Sequence, residues 1–591
     1  MSRYTLRRPL TLEEKNLFPG YSDIASHLLF HRGLYDVASA RAFITPDYLS
    51  GVHDPFLLKD ADKAAQKIID TISTKGKIAV FSDYDCDGIP GAAMFHDFFS
   101  RINYKNFVVY IPHRHNEGFG LNEGAIDELV AQEVKLVITI DCGISDKEVV
   151  AYANKKGLEV IITDHHEPPP DELGGIPDAY AVIDPKRADC QYPDKNLCGT
   201  GVGFKLIQAI LAKERFGLKE GMEKWLLDLV GIATLSDMVP LVGENRVYAH
   251  YGLHVLRKTQ RKGLAKLFSK LRMNQAHLTE DDIAFMITPR INAASRMGVP
   301  MDAFNLLTAS TDEQADTCAT HLDAINNERK GVVAALVKEV KKLVRDRYSD
   351  NIPTVIVLGN PEWRPSLLGL AANSCAEEFN RPVFLWGRDG SGHLKGSCRS
   401  EGISNVVNIM RAVPEGVFSE CGGHKHSGGF GVNKDQIHHL SEILNEAADK
   451  LQVASNKLQV EGSQSQVGNE LVESEDLIDY ELSLDDVTGN LHGDVDKLAP
   501  FGVGNRKPVF IFKNIKPISV RTFGKGNEHV ELVFPQKNGR KVSAISFFGS
   551  TSPWATPLEA SRSLDLVASI EKSMFRNRPE IRLRVVDVIY S

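Results

Sequence analysis

Ile78-Ala79-Val80-Phe81-Ser82-Asp83-Tyr84-Asp85-Cys86-Asp87-Gly88 is the stretch that decides the fold. An apolar run of the kind that forms a buried parallel strand passes directly into three alternating carboxylates. The acids therefore fall at the carboxyl end of a strand, where open α/β sheets place their ligand sites. Three like charges so close together repel one another unless a cation neutralises them. The loop predicts a hard divalent metal site.

Working outward, apolar segments at 77–82, 107–111, 136–140, 158–163 and 180–183 alternate with amphipathic stretches such as 122–133 and 145–156. That alternation predicts a doubly wound parallel sheet. Asp141 ends the run Leu136-Val137-Ile138-Thr139-Ile140, and Asp164-His165-His166 ends Val160-Ile161-Ile162-Thr163. Asp237 closes Ala233-Thr234-Leu235-Ser236, expected at the end of a helix. A parallel sheet brings the strand-end sets to one edge. A single strand-end Asp is ordinarily a cap or turn residue, but three such ends in consecutive βα units have no such common explanation. Oxygen ligands with one or two imidazoles suit Mn²⁺ or Mg²⁺. Alternation is expected to turn Cys86 away from the acids.

The rest of the 591-residue chain bounds its class. The length predicts several domains. No apolar run reaches the roughly 18 residues of a membrane span, and the basic first nine residues lack the apolar core of a signal peptide. Eight scattered cysteines without a Cys-x-x-Cys pair fit a reducing compartment, so a cytoplasmic protein with no membrane partner is expected. The net charge of −8 hides a split. Residues 501–591 carry fifteen Lys and Arg against seven Asp and Glu, whereas 431–500 carry four against fifteen. A basic terminal module points to a polyanion partner.

Residues 201–309 read as largely helical, and 311–347 as one long polar-amphipathic helix whose alternative is a pair with a turn near Gly331. A second α/β unit is expected from 353, with strands at 354–358, 382–386 and 392–397 and then the Gly-rich stretch 422–431. Residues 453–472 suit a linker. Strand segments at 508–512, 516–522, 529–534, 541–548, 563–570 and 581–589 predict a small antiparallel barrel. Its aromatics are Tyr480, Phe510, Phe512, Phe523, Phe547 and Phe548, most of them expected in the core.

Asp83-Tyr84-Asp85-Cys86-Asp87-Gly88 and Asp164-His165-His166 resemble the signature motifs of the DHH phosphoesterase superfamily. Further segments resemble the RecJ single-strand-specific exonucleases in that family's order. They are Arg114 with Glu117-Gly118-Phe119-Gly120-Leu121, the 199–206 glycine segment, Asp237-Met238-Val239-Pro240, and Pro289-Arg290-Ile291-Asn292 running on to Arg296-Met297-Gly298. Lys395-Gly396-Ser397-Cys398-Arg399-Ser400, Gly422-Gly423-His424 and Pro500-Phe501-Gly502-Val503-Gly504-Asn505 follow. Two positions depart from the family pattern: Arg364 stands where His is usual, and Ser295 where Gly is usual.

The resemblance implies an α/β DHH catalytic domain with a doubly wound parallel sheet over 71–310, after an N-terminal extension at 1–70. A connecting helix at 311–348, a smaller α/β DHH-associated domain at 349–452, a linker at 453–472 and an OB-fold β-barrel at 473–591 follow. It implies hydrolysis of single-stranded DNA from 5′ to 3′ by a two-metal mechanism, releasing 5′-mononucleotides in repair and recombination. Asp85, Asp87, Asp141, His165 and Asp237 would be metal ligands for two Mn²⁺ or Mg²⁺ ions, and Asp83 and His166 would be catalytic, as further ligands or as partners of the ligands. Arg114, Arg296, Ser397, Arg399 and His424 would bind the substrate. Single-stranded DNA is the implied partner, with a single-strand-binding protein and a helicase as further ones. The alternatives are a DHH phosphoesterase acting on short oligonucleotides or RNA, and a non-catalytic replication scaffold.

Overall fold

The computed structural model describes residues 4–170, 175–349, 351–401, 405–460, 477–552, 554–555, 562–573 and 579–590. They form two compact units, one of Pro55–Asp237 with His254–Gly468, the other of Met1–Asp54, Met238–Leu253 and Asn469–Ser591.

In the larger unit, after a helix at Ala61–Ser73, come β1 (Lys77–Ser82), α1 (Gly88–Arg101), β2 (Phe107–Tyr110), α2 (Glu123–Ala131), β3 (Val134–Ile140), α3 (Lys147–Lys155), β4 (Glu159–Thr163), β5 (Ala181–Ile183) and α4 (Gly199–Lys213). The sheet order is β2-β1-β3-β4-β5, parallel throughout, as the alternation predicts. Its strands are apolar almost without interruption because helices cover both faces. Ala79, Phe81, Val137, Val160 and Ile162 pack on Ile126, Leu129 and Val150 of α2 and α3. On the other face, Gly203 lets α4 lie so close that a Cβ there would sit 3.3 Å from Ile140 and from Phe95.

Next come α5 (Leu227–Ser236), α6 (Thr288–Met297) and α7 (Asp312–Tyr348). Helix α7 runs unbroken through Gly331, so the single-helix reading holds. Its first half buries Ala315, Ala319 and Leu322, and its second half buries Leu336, Val340 and Val344 against the following sheet. That sheet contains β6 (Ile356–Gly359), β7 (Val383–Arg388), β8 (Leu394–Arg399), β9 (Phe418–His424) and β10 (Ser427–Val432), with α8 (Pro365–Phe379) between β6 and β7. Its order is β9-β10-β8-β7-β6. The Gly-rich stretch is thus not a loop but a hairpin of two paired strands. Gly423 sits there at φ +144°, where a Cβ would meet the Ser427 carbonyl at 2.3 Å. Helix α9 (Leu440–Val460) extends into the expected linker, whose residues 461–472 lie outside the described residues.

The smaller unit joins both ends of the chain. Thr5–Leu6 pairs in parallel with Leu477–Ile478. Phe18, Leu28, Leu29 and Ala40 share one core with Val530, Leu532 and Phe534 and with Leu564, Leu566 and Ala568. The strands are β11 (Phe510–Ile515), β12 (Ser519–Phe523), β13 (His529–Pro535), β14 (Lys541–Ser546), β15 (Leu564–Ser573) and β16 (Glu580–Tyr590). With the short strand Tyr480–Glu481 they form one sheet in the order 480–481, β11-β15-β16-β14-β13-β12. The β14–β16 pair and the pair of 480–481 with β11 are parallel, against the wholly antiparallel expectation. Phe510 and Phe512 are core residues, whereas Phe548 is 68% exposed.

Candidate metal centre

The ladder of the parallel sheet continues one residue past three successive strands. Asp83 N–H donates to Ile140 (3.1 Å), Asp141 N–H to Thr163 (3.0 Å) and Asp164 N–H to Ile183 (3.1 Å). Three acids are thereby fixed in a row along one edge. Residues 83–88 then fold tightly, and a Cβ at Gly88 would lie 2.3 Å from the Asp83 carbonyl oxygen. Asp85 Oδ1 accepts the N–H groups of Asp87 (2.7 Å) and Gly88 (3.3 Å). Asp87 instead binds the start of α4, its two oxygens accepting Gly199 N–H at 2.6 Å and Thr200 N–H at 2.8 Å. These N–H groups have no partner within the helix, and its dipole favours an anion there. Gly199 is required too, because a Cβ would fall 2.4 Å from the Asp141 side chain.

Asp164 has its oxygens engaged. Oδ2 accepts Ile144 N–H at 2.9 Å, while Oδ1 takes the N–H groups of His165 and His166 and lies 2.7 Å from His166 Nδ1. It fixes the His166 imidazole and the His165 backbone, and it belongs to none of the converging ligand sets.

Three sets of ligand atoms converge, each within 4.8 Å: Asp83, Asp85 and Asp141; Asp141, His165 and His166; Asp87, His165 and Asp237. Asp141 and His165 each belong to two sets. Asp237 arrives as the C-cap of α5, the helix end expected for it. Cys86 belongs to none of the sets and is buried.

The electrostatics are those of an uncompensated anion cluster. Burial first, then neighbouring carboxylates, push Asp83, Asp141 and Asp237 well above the usual carboxylate range. The same two causes bring Asp87 to about 6. Burial lowers His165 to about 3, so its ring is neutral. Its Nε2 nevertheless faces Asp141 at 3.2 Å, Asp237 at 3.6 Å and Asp87 at 3.8 Å. Burial acts to lower His166 too, but its bond to Asp164 overrides this and raises it to about 9. Asp83 Oδ1 and Asp141 Oδ1 are buried without a hydrogen-bond partner among the described residues. Repelling carboxylates, orphaned acceptors and a neutral imidazole aimed at them fit a hard divalent cation.

A cationic face adjoins the acids within the same unit. Arg296 of α6 donates to the Ser366 carbonyl of α8 (2.8 Å), and the Ser366 hydroxyl donates back to the Arg296 carbonyl (2.9 Å). Ser397 and Arg399 lie two apart on β8, hence on one face of the sheet, with Cys398 in the core between them. Arg399 rests on α8 at Gly369, where a Cβ would be 2.7 Å from Nη2. Arg114 lies with its guanidinium 4.8 Å from the Tyr84 ring centre. Burial and then the charges of Arg114, Arg329 and Arg399 lower Arg296 to about 9, while Asp85 acts to raise it. His424 is at the hairpin end of β9, paired with Ser427.

The structure thus gathers Asp83, Asp85, Asp87, Asp141, His165, His166 and Asp237 in one place, and Arg114, Arg296 and Arg399 in another beside it. Ser295 is fully buried inside α6, and Arg364 is exposed at the N-cap of α8. Two supports escaped the sequence reading as site residues. Asp164 looked like a ligand neighbour, and Thr200 carried only its glycine context as a signal.

Three segments match family descriptions: the DHH family, N-terminal domain, over residues 77–234; the DHHA1 domain over 352–450; and the RecJ OB domain over 478–587. The chain is 30% identical to the single-stranded-DNA-specific exonuclease RecJ of Bacillus subtilis over 598 residues, covering 100% of this chain and 71% of that protein. It is 28% identical to the same-named protein of Haemophilus influenzae, covering 91% and 92%. Among solved structures, RecJ from Thermus thermophilus in complex with Mn²⁺ matches at TM-score 0.79 and 23% identity, over 100% of this chain and 80% of that one. Exonuclease RecJ bound to manganese matches at TM-score 0.56 and 30% identity, over 66% and 95%.

Proposed function

The chain belongs to the RecJ family of single-stranded-DNA-specific exonucleases, and on that premise we propose that it removes 5′-mononucleotides from single-stranded DNA in the 5′→3′ direction. The observation that carries this reading is the pairing of an uncompensated carboxylate–imidazole cluster with a row of arginines that, among the described residues, lack carboxylate partners.

Asp85, Asp87, Asp141, His165 and Asp237 would hold two Mn²⁺ or Mg²⁺ ions, with Asp83 and His166 adjacent. Bound there, the ions supply an acidified attacking water and neutralise charge on the scissile phosphate. The protein's own groups do the rest. Asp164 holds the His166 ring in place beside the ions through its contact to Nδ1. Arg114, Arg296 and Arg399, with Ser397 and His424, position the strand's 5′ end. Guanidinium forks suit bidentate phosphate binding. The C-terminal β-domain binds the single strand further along, through its cationic surface and exposed aromatics such as Phe548.

A single-strand-binding protein and a helicase as partners, and a cytoplasmic location, complete the reading. Its support is the family's DNA-processing activity and the lack, among described residues, of a helix long and apolar enough to cross a membrane.

The test uses 5′-labelled single-stranded DNA, blunt duplex and RNA in Mn²⁺, with and without EDTA. Mononucleotide release from single-stranded DNA alone, abolished by EDTA and by Asp141→Ala, is expected. Undiminished hydrolysis by Asp141→Ala, or equal rates on duplex, would overturn the reading.

A further inference from the structure

Helix α7 presents a polar row to α6 that the site as described does not use. Asp323 of α7 pairs with Arg290 of α6, its Oδ1 accepting from Nε at 3.0 Å and lying 2.9 Å from Nη2. One turn later Asn326 is fully buried, and neither its amide nitrogen nor its amide oxygen has a hydrogen-bond partner among the described residues. One turn later again comes Arg329. Residues three apart on a helix are neighbours rotated by about 60°, so the row winds from Asp323 through Asn326 to Arg329. Arg329 is half-buried, its Nε lacks a partner, and among the described residues it forms no ion pair.

We propose that Arg329 is a fourth guanidinium of the pocket that holds the phosphorylated 5′ end of the strand, a residue that specifies that end in addition to Arg114, Arg296 and Arg399. The inference rests on the exonuclease reading above and deepens it.

Charge balance supports it. Arg290 already has Asp323, so its charge offers Arg329 only repulsion. Arg114, Arg296, Arg329 and Arg399 have no carboxylate ion-pair partner among the described residues, yet Arg296 feels the other three. Collecting desolvated guanidiniums without an anion is costly. A terminal phosphomonoester carries about two negative charges and three acceptor oxygens, and the next diester adds one more charge. Together these charges offset most of four guanidiniums, and the terminal monoester supplies the larger part. Asn326 adds independent weight. An amide buried with both atoms unbonded marks this face as one that meets a polar group rather than apolar packing.

The experiment uses full-length Arg329→Ala and Arg329→Lys in Mn²⁺, on 5′-phosphorylated and 5′-hydroxyl oligothymidylate, with melting temperatures recorded. Arg329→Ala is expected to raise KM for the phosphorylated strand about tenfold or more, as loss of one charge-assisted contact does, and the hydroxyl strand less, with kcat little changed. The slope of log kcat/KM against log salt should become shallower by roughly 0.7, one phosphate contact on a single strand. Arg329→Lys should keep that slope and recover part of the KM. An equal rise for both strands, or a lowered melting temperature with unchanged KM, overturns the proposal. If Arg329→Ala does not fold, the Lys variant decides by the same phosphorylated-to-hydroxyl KM ratio, a wild-type ratio overturning the proposal. If the wild-type chain degrades neither strand, the functional reading has failed instead. The pocket is then judged by the melting-temperature rise with inorganic phosphate, which the variants must reduce.

Discussion

At Asp164, the first residue of the site's third strand end, every polar contact points back into the protein. It holds Ile144, His165 and His166 and leaves the cation to its neighbours. Residues that orient ligands in this way typically cost 10–100-fold in metal affinity or activity when changed. Asp164→Asn should therefore lose roughly that much in Mn²⁺-dependent activity, with weaker Mn²⁺ binding by titration. Wild-type affinity and rate would assign Asp164 to packing alone. The carboxylates also set a pH dependence. Asp87 is raised to about 6 in the folded protein, and Asp83, Asp141 and Asp237 further above their ordinary value. The folded state thus binds more protons than the unfolded state, and metal-free stability falls as pH rises from the ordinary carboxylate value through 6 and beyond. Cation binding removes that repulsion once the protons have gone. Thermal melts should accordingly show a larger Mn²⁺-induced rise in melting temperature at pH 7.5 than at pH 5. A rise independent of pH would contradict the repulsion.

Among the elements, α7 matters most, since its two halves pack on different partners. Gly331, near its middle, has no heavy atom within 4 Å of where a Cβ would project. Glycine inside a helix costs roughly 0.5–1 kcal/mol relative to alanine. Gly331→Ala should stabilise the chain by about that amount in urea unfolding, and destabilisation would reveal a bend that the helix needs. Other glycines are fixed by contact. Gly88 and Gly199 hold the acid loop and α4 against the strand ends, and Gly423 holds the β9–β10 hairpin. The last of these lies in a stretch rich in glycine, a poor strand former. It is nevertheless strand, since the pairing of β10 with β8 outweighs local propensity.

In the molecule as a whole, the N-terminal segment and the C-terminal β-domain share a core. Phe18, Leu28 and Leu29 are buried against side chains from residues 482–588. A chain cut after Gly468 should therefore expose these residues, aggregate and bind a hydrophobic dye. A monomeric product with an unchanged melting temperature would show that the N-terminal segment folds without the β-domain.

The sequence by itself determined the parallel sheet, because apolar runs ending in acids are legible locally, and it identified the chemistry, because a cluster of carboxylates needs a cation. It also supplied Arg114, Arg296 and Arg399, but only through motif resemblance. Which acid faces the cation and which braces a histidine was not legible, since Asp85, Asp87 and Asp164 are alike until their hydrogen-bond partners are known. Nor was Arg329, one cation among many on a polar helix. Only the tertiary structure distinguishes such residues, because burial and the proximity of residues distant in the chain determine whether a charge is compensated.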